Sequence, residues 1–518
     1  MIPSLGEYTL ALSRSPLLLL GFLWSHVALF HALPPILRSA GANSAALGVP
    51  VVLVSLLIVT LPHKLVDYSF FLLILFVVQN MAYLLLRGSV SNHILTEMCL
   101  CASVLTAGVS LLDSAAEGRT RLMKNLLADC FRLQLAALYL ISGLHKMNTG
   151  FFDMGESCSA QVISIFTLQL MPENLAKSLL ESPLPALSPH FGLVLEFIMG
   201  FALLSRDRNI QRMAIAIAQM FHVMLALPLP PSSFYPFSGI CVLAFIPMHF
   251  EAFSTALRQH GRSVALFCIA LWPILHLRGL EQTHKEYPPY SLYPVGVSWI
   301  IGIALLNLIA ALRYPSKADV QTSDQGPRSW IVPVLMFLLI SLIGLMPYLG
   351  IRTYPAFAMF SNLRVEARSN HWFLPSWDQW LKLDHLRSVR ILNSNLRSLQ
   401  AFQIDLADYY PEKTLEGLRT FEVRPSLWIC PPTWKHAIPA FKPYYIPFFE
   451  LHRAVLKAYE ANTTFYVDYE VEGSAERFDL RESGSIDGDE TLLRQIPWWK
   501  KLLFRFRSFD PDSEVCRH

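Results

Sequence analysis

Apolar residues in the first two thirds of the chain run in blocks too long for the stripe of a soluble helix. The stretches 67–86 (DYSFFLLILFVVQNMAYLLL) and 331–350 (IVPVLMFLLISLIGLMPYLG) are nearly unbroken. A membrane-spanning helix needs about 20 mostly apolar residues. By that measure the candidate spans are 16–33, 46–62, 67–86, 90–112, 126–146, 190–204, 210–228, 235–250, 263–277, 293–312 and 331–350. Three of them, 190–204, 235–250 and 263–277, are short. The pattern predicts an α-helical polytopic membrane protein with about 9–11 transmembrane helices. The first span has no basic segment before it and no small-residue cleavage site after it, so it is expected to be retained.

Beyond Gly350 the period changes. Residues 464–471 (TFYVDYEV) alternate as a strand does, with 476–480 as its partner across a Gly473-Ser474 turn. Residues 450–461 read as a helix with Leu451, Val455, Leu456 and Tyr459 on one face. The chain thus divides into a transmembrane domain (1–350), a small α/β domain (351–490) and a tail (491–518). In the tail, 497–506 (PWWKKLLFRF) suits either a helix in the lipid headgroup layer or a segment packed on the domain.

Charge follows the same boundary. Residues 1–350 hold 37 Asp, Glu, Lys and Arg, and the much shorter 351–518 holds 44. The chain as a whole is 16% charged, against about 25% for a soluble domain. A net charge of +3 is too small to argue for a nucleic-acid partner, and no Lys/Arg block supplies a phosphate-binding face, so none is expected. Lys and Arg crowd the loops on one side of the expected spans, which predicts a cytoplasmic N-terminus and a lumenal or extracellular C-terminal domain. The Asn462-Thr463-Thr464 glycosylation sequon fits that side. Of eight cysteines, Cys99, Cys101, Cys130, Cys241 and Cys268 fall in apolar spans and are expected to pack. Cys158, Cys430 and Cys516 fall on the oxidising side, where a Cys158–Cys430 disulfide is one pairing.

Ionisable groups inside a bilayer are costly and mark sites. Here they are His93, Glu97, Asp129, Arg132, Lys146, Glu196 and His222. Asp129 and Arg132, three apart, read as an ion pair. His93 and Lys146 arrive at the same expected membrane depth from different helices. Lys146 follows Arg132 and Tyr139 at seven-residue spacing, with Ser142 one turn before it and Gly143 open to close approach. Desolvation disfavours an ammonium, so such a lysine is either a base or a cation reaching for headgroups. His93 with Glu97 makes only half a metal site, and no metal is expected.

The stretch 139–152 (YLISGLHKMNTGFF) resembles the lysine helix of the vitamin K-dependent γ-carboxylases and the wider HTTM membrane family. Ser91-Asn92-His93 upstream, and downstream 192–204 (GLVLEFIMGFALL) followed by Phe221-His222, are similar to that family's Asn-His, acidic-helix and Phe-His elements. Residues 359–375 (MFSNLRVEARSNHWFLP) and 450–481 add to the likeness, which covers about residues 1–485. The resemblance implies an enzyme that couples oxygenation of reduced vitamin K, or another quinol, to deprotonation and carboxylation of a substrate carbon, with O₂ and CO₂ as co-substrates. It makes Lys146 the base and His93 its assistant, with Asn92, Tyr139, Ser142, Gly143, Glu196 and His222 lining a quinone pocket.

This chain has His145 where the animal carboxylase has a second lysine. It ends before the long C-terminal part with which those enzymes hold propeptide-bearing proteins. The reading therefore leans on quinone and oxygen chemistry more than on a protein substrate. Two alternatives stay open: an enzyme acting on an isoprenoid lipid itself, by epoxidation or cyclisation, and a non-catalytic transporter or lipid-binding protein.

Overall fold

The computed structural model describes residues 92–110, 116–228, 235–282, 288–314, 330–358, 361–366, 369–374, 386–404, 412–420, 428–429, 437–440, 443–481, 485–507 and 509. The expected spans 16–33, 46–62 and 67–86, together with Ser91, Cys430 and Cys516, lie outside the described residues. The chain is mostly helical and carries a small antiparallel sheet. It forms two compact units. His93–Leu140 and Leu195–Ser341 belong to the first; Asn92, Ile141–Val194 and Leu342–His518 belong to the second.

Among the described residues, four helical stretches are long and apolar enough to cross a membrane: Asn125–His145, Leu184–Leu204, Tyr235–Leu277 and Tyr293–Arg313. They differ in what covers them. Two thirds of Asn125–His145 is buried within the protein, against 28% of Leu184–Leu204. On the latter, Phe191, Val194, Ile198 and Phe201 recur at helical spacing and are all exposed, an apolar stripe that suits lipid. On its opposite face Gly200 admits Leu140, whose Cγ would lie 2.7 Å from an added Cβ.

Several expected bounds move. The span 190–204 begins earlier, at Leu184, and carries Pro189 inside it. The spans 235–250 and 263–277 are not separated by a loop. A short 3₁₀ turn, Ile246–His249, leads directly into one 33-residue helix, Phe250–Gln282. The connecting residues 251–262 are mostly polar but contain no proline and a single glycine, so they sustain a helix. Arg258 and Arg262 therefore sit on a helix and not in a loop. The last apolar helix is only Ile331–Leu345, because Pro347 disfavours helical backbone at the residue before it.

In the second unit, β1 (Ser388–Ser394), β5 (Tyr444–Pro447), β6 (Phe465–Val471), β7 (Ser474–Leu480) and β8 (Ile486–Asp487) form an antiparallel sheet of order β5-β1-β6-β7-β8. A smaller sheet joins β2 (Ala401–Ile404), β3 (Trp428–Ile429) and β4 (Ala437–Ala440) in the order β3-β2-β4. The helix Phe448–Glu460 contributes Leu451, Val455 and Ala458 to a core with Val389, Ile391, Val467, Tyr469 and Phe478 of the larger sheet. Tyr459 was expected on that face. It is 41% exposed and Ala458 takes the place, since the i, i+4, i+7 line from Leu451 passes through residue 458.

The β6–β7 hairpin turns at Glu472-Gly473, one residue earlier than expected, with Val471 opposite Ser474. Both turn residues have positive φ (52° and 84°), the twist that a two-residue hairpin favours and that glycine accepts without strain.

Candidate functional site

The helix Ala116–His145 ends one residue before Lys146. Lys146 N–H turns back to the Gly143 carbonyl at 3.0 Å, which tightens the last turn as helix ends commonly do. The lysine then folds along its own helix: Nζ donates to Ser142 Oγ at 2.8 Å and lies 5.8 Å from the centre of the Phe151 ring. The residue is 8% exposed.

Asn148 fixes the bend that follows. Its Nδ2 donates to the His145 carbonyl at 2.7 Å and the Ser361 carbonyl at 2.5 Å, and its Oδ1 accepts from Phe151 N–H at 2.9 Å. A buried carboxamide with its donors and acceptor engaged rigidifies its site. His145, fully buried, donates from Nε2 to the Gly344 carbonyl at 2.8 Å. A side chain at Gly344 would overlap Ile141.

The segment around His371 pairs with the same bend. Thr149 N–H donates to the Asn370 carbonyl, and Trp372 N–H to the Met147 carbonyl, both at 3.0 Å. His371 Nε2–H donates to the Leu144 carbonyl at 3.0 Å, while Nδ1 accepts from the N–H groups of Phe373 and Leu374 at 3.1 and 3.2 Å. These partners fix one neutral tautomer. Burial pushes its pKa below the ordinary histidine value, and the Leu144 carbonyl opposes that only in part. Asn362 Oδ1 accepts from Cys158 N–H at 2.9 Å. Cys158 is disulfide-bonded, and Cys430, one pairing open to it from the sequence, lies outside the described residues. Asn92 accepts from the N–H groups of Ala356 and Phe357 at 3.0 Å each, tying the start of its helix to a loop where Phe357 has a φ of 59°.

The first unit holds a second polar centre. Tyr139 Oη and His222 Nε2 are 2.7 Å apart and both residues are buried. Phe221 and Phe237 meet the imidazole edge-on, and the buried Glu196 and Cys241 are electrostatic neighbours of the tyrosine. Tyr139, Glu196 and His222 are thus brought together. His93 is half-buried and Glu97 fully buried on the helix Asn92–Ser110. His93 belongs to this unit and Lys146 to the other. Asp129 and Arg132 form the expected ion pair at 2.9 Å.

Other buried polar residues were not singled out from the sequence. Asn307 donates to Gln219 Oε1 at 3.2 Å and to the Val242 carbonyl at 2.8 Å, and its Oδ1 lies 3.0 Å from His249 Nε2. Gln219 stands three residues before His222, one turn away on the same helix face. That spacing was the available signal. Asn148, Asn362, Asn370 and His371 lie in the stretches 139–152 and 359–375 that carry the resemblance, but the side-chain pattern gives no sign of their contacts, which are mostly to main-chain atoms.

Among the described residues no three His, Cys, Asp or Glu side chains group to hold a metal ion. No family model matches the chain, and neither a curated protein nor a solved structure matches it. Chemically, the bend offers a buried amine with a hydroxyl at hydrogen-bond distance beside an aromatic face. The first unit offers a buried phenol–imidazole pair able to pass a proton.

Proposed function

We propose that this is a multi-pass membrane enzyme of the HTTM type in which Lys146 acts as base toward a quinol, coupling oxygenation of the reduced quinone to deprotonation, and carboxylation, of a substrate carbon. The proposal takes the N-terminus as cytoplasmic, the C-terminal domain as lumenal or extracellular, and the lipid-soluble quinone as entering from the bilayer. The observation that carries it is the Lys146 amine, 8% exposed at the end of an apolar span and bonded to Ser142.

The residues fit the group they would receive. A quinol brings an acidic hydroxyl on a flat ring and supplies the redox chemistry with O₂. Lys146 Nζ would take the proton, Ser142 would hold the amine in direction, and the Phe151 face suits a flat ring. Burial of the amine keeps water from competing for that proton. The buried Tyr139–His222 pair favours a second reading, action on an isoprenoid lipid itself, since a phenol and an imidazole at hydrogen-bond distance can relay a proton within the bilayer.

Purified wild-type protein supplied with vitamin K hydroquinone and O₂ should form the quinone epoxide, read by chromatography. Absence of turnover with any quinol, alongside a new cyclic or oxidised isoprenoid in extracted lipids, would favour the second reading. Absence of both would contradict the enzymatic proposal.

A further inference from the structure

In the second unit, one carboxylate pairs with two arginines and lies near a third. Glu450 pairs through Oε2 with Arg453 and, at 3.6 Å, with Arg505, while its Oε1 accepts from Phe506 N–H at 2.8 Å. Arg352 lies 6% exposed, donating to the carbonyls of Leu502 and Leu503, the latter at 3.1 Å. Among the described residues Glu450 is the single carboxylate within 4 Å of these guanidinium groups. Arg453 Nη1 is buried with no hydrogen-bond partner. Arg352 is held down to about 10, first by burial, then by the Arg453 charge, with Glu450 compensating in part. Three buried or half-buried cations against one anion leave an excess of positive charge, which burial penalises unless a further anion answers it.

The same place has a membrane address. The N–H groups of Ile351 and Arg352 donate to the carbonyl of Met346, the residue after the apolar helix Ile331–Leu345. Leu502 and Leu503, whose carbonyls Arg352 holds, close the helix Trp498–Leu503. On that helix Trp498 is 71% exposed, and Trp499 and Leu503 are exposed as well, beside Lys500 and Lys501. Exposed tryptophans with lysines are the composition of a headgroup-layer helix.

We infer that Arg352, Arg453 and Arg505 form a binding site for the phosphate of an anionic lipid headgroup, with Trp498 and Trp499 seated in the adjoining lipid. Guanidinium groups match phosphate in geometry and keep their charge. The site is independent of the quinol chemistry proposed for Lys146.

The test uses the full chain. Delipidated protein is placed in nanodiscs of phosphatidylcholine with or without a share of phosphatidic acid, and separately in detergent with inorganic phosphate at constant ionic strength. Thermal unfolding is then followed. A ligand of the folded state raises the midpoint. Phosphatidic acid should raise it for the wild type. Arg505→Gln should weaken the apparent affinity about tenfold. Glu450→Gln keeps an acceptor for Phe506 N–H but removes the competing charge, and should tighten the affinity several-fold. A merely structural ion cluster would not give that opposite sign. No lipid-dependent shift in the wild type would overturn the inference. So would a shift untouched by Arg505→Gln, weaker binding in Glu450→Gln, or a gain reproduced in full by inorganic phosphate with nothing added by the lipid.

Discussion

The Lys146 amine donates to the Ser142 hydroxyl one helical turn earlier, at 2.8 Å. Ser142 therefore aims the amine. Removing a hydrogen bond of this kind costs about 1 kcal/mol, so Ser142→Ala should lower kcat about fivefold, leave KM unchanged, and be rescued by Ser142→Thr. Steady-state kinetics with a quinol checks it, and an unchanged kcat would deny Ser142 its positioning role.

Tyr139 and His222 form a closed pair in the first unit. Tyr139→Phe leaves a buried imidazole nitrogen without its partner and should cost about 1–3 kcal/mol of stability. Replacing both, as Tyr139→Phe with His222→Phe, should recover part of that loss, since no orphaned polar atom remains. Thermal unfolding of the single and double variants measures the difference.

His371 gives the second unit a pH dependence. Its folded pKa lies below the unfolded value of about 6.5. In that window the unfolded chain binds more protons, so stability rises with pH. The contribution is whole above about pH 6.5 and is lost as pH falls toward the folded pKa. Protonation of Nδ1 also removes the acceptor for two main-chain N–H groups. Protection of the Phe373 and Leu374 amides against hydrogen exchange, taken relative to the intrinsic exchange rate at each pH, should fall between neutral and acid pH. His371→Leu should flatten that dependence.

Asn462 lies in an exposed turn after the helix Phe448–Glu460, with a φ of 49°. If its domain is lumenal, expression in a secretory membrane should give an endoglycosidase-sensitive shift that Asn462→Gln abolishes. Peptide mapping without reductant should show Cys158 linked to a second cysteine, and the reading from sequence names Cys430. Reduction should cost about 2–4 kcal/mol of stability.

How much of this was legible in the chain depends on the range of the interactions. The helix Phe448–Glu460 and the β6–β7 hairpin were readable because their signals, a 3.6-residue apolar line and strict alternation, are local. Asp129 with Arg132 was readable for the same reason. Merging 235–250 and 263–277 into one helical run was not, because polar residues inside a helix imitate a loop when only hydropathy is read. The clamp at the Lys146 bend was legible only as a likeness of the stretches 139–152 and 359–375, not as a set of contacts. Asn148, Asn362, Asn370 and His371 act on main-chain atoms up to 227 residues away, and backbone partners leave no trace in side-chain pattern. The Arg352–Glu450–Arg505 cluster is likewise assembled from three separate segments.

The most direct test of the account replaces the amine itself. Lys146→Ala should reduce quinone epoxide formation by at least about a hundredfold, the usual scale for a lost general base, with the fold intact by thermal unfolding. Small primary amines added in solution should restore part of it. Undiminished epoxide formation by a folded Lys146→Ala protein would contradict the account.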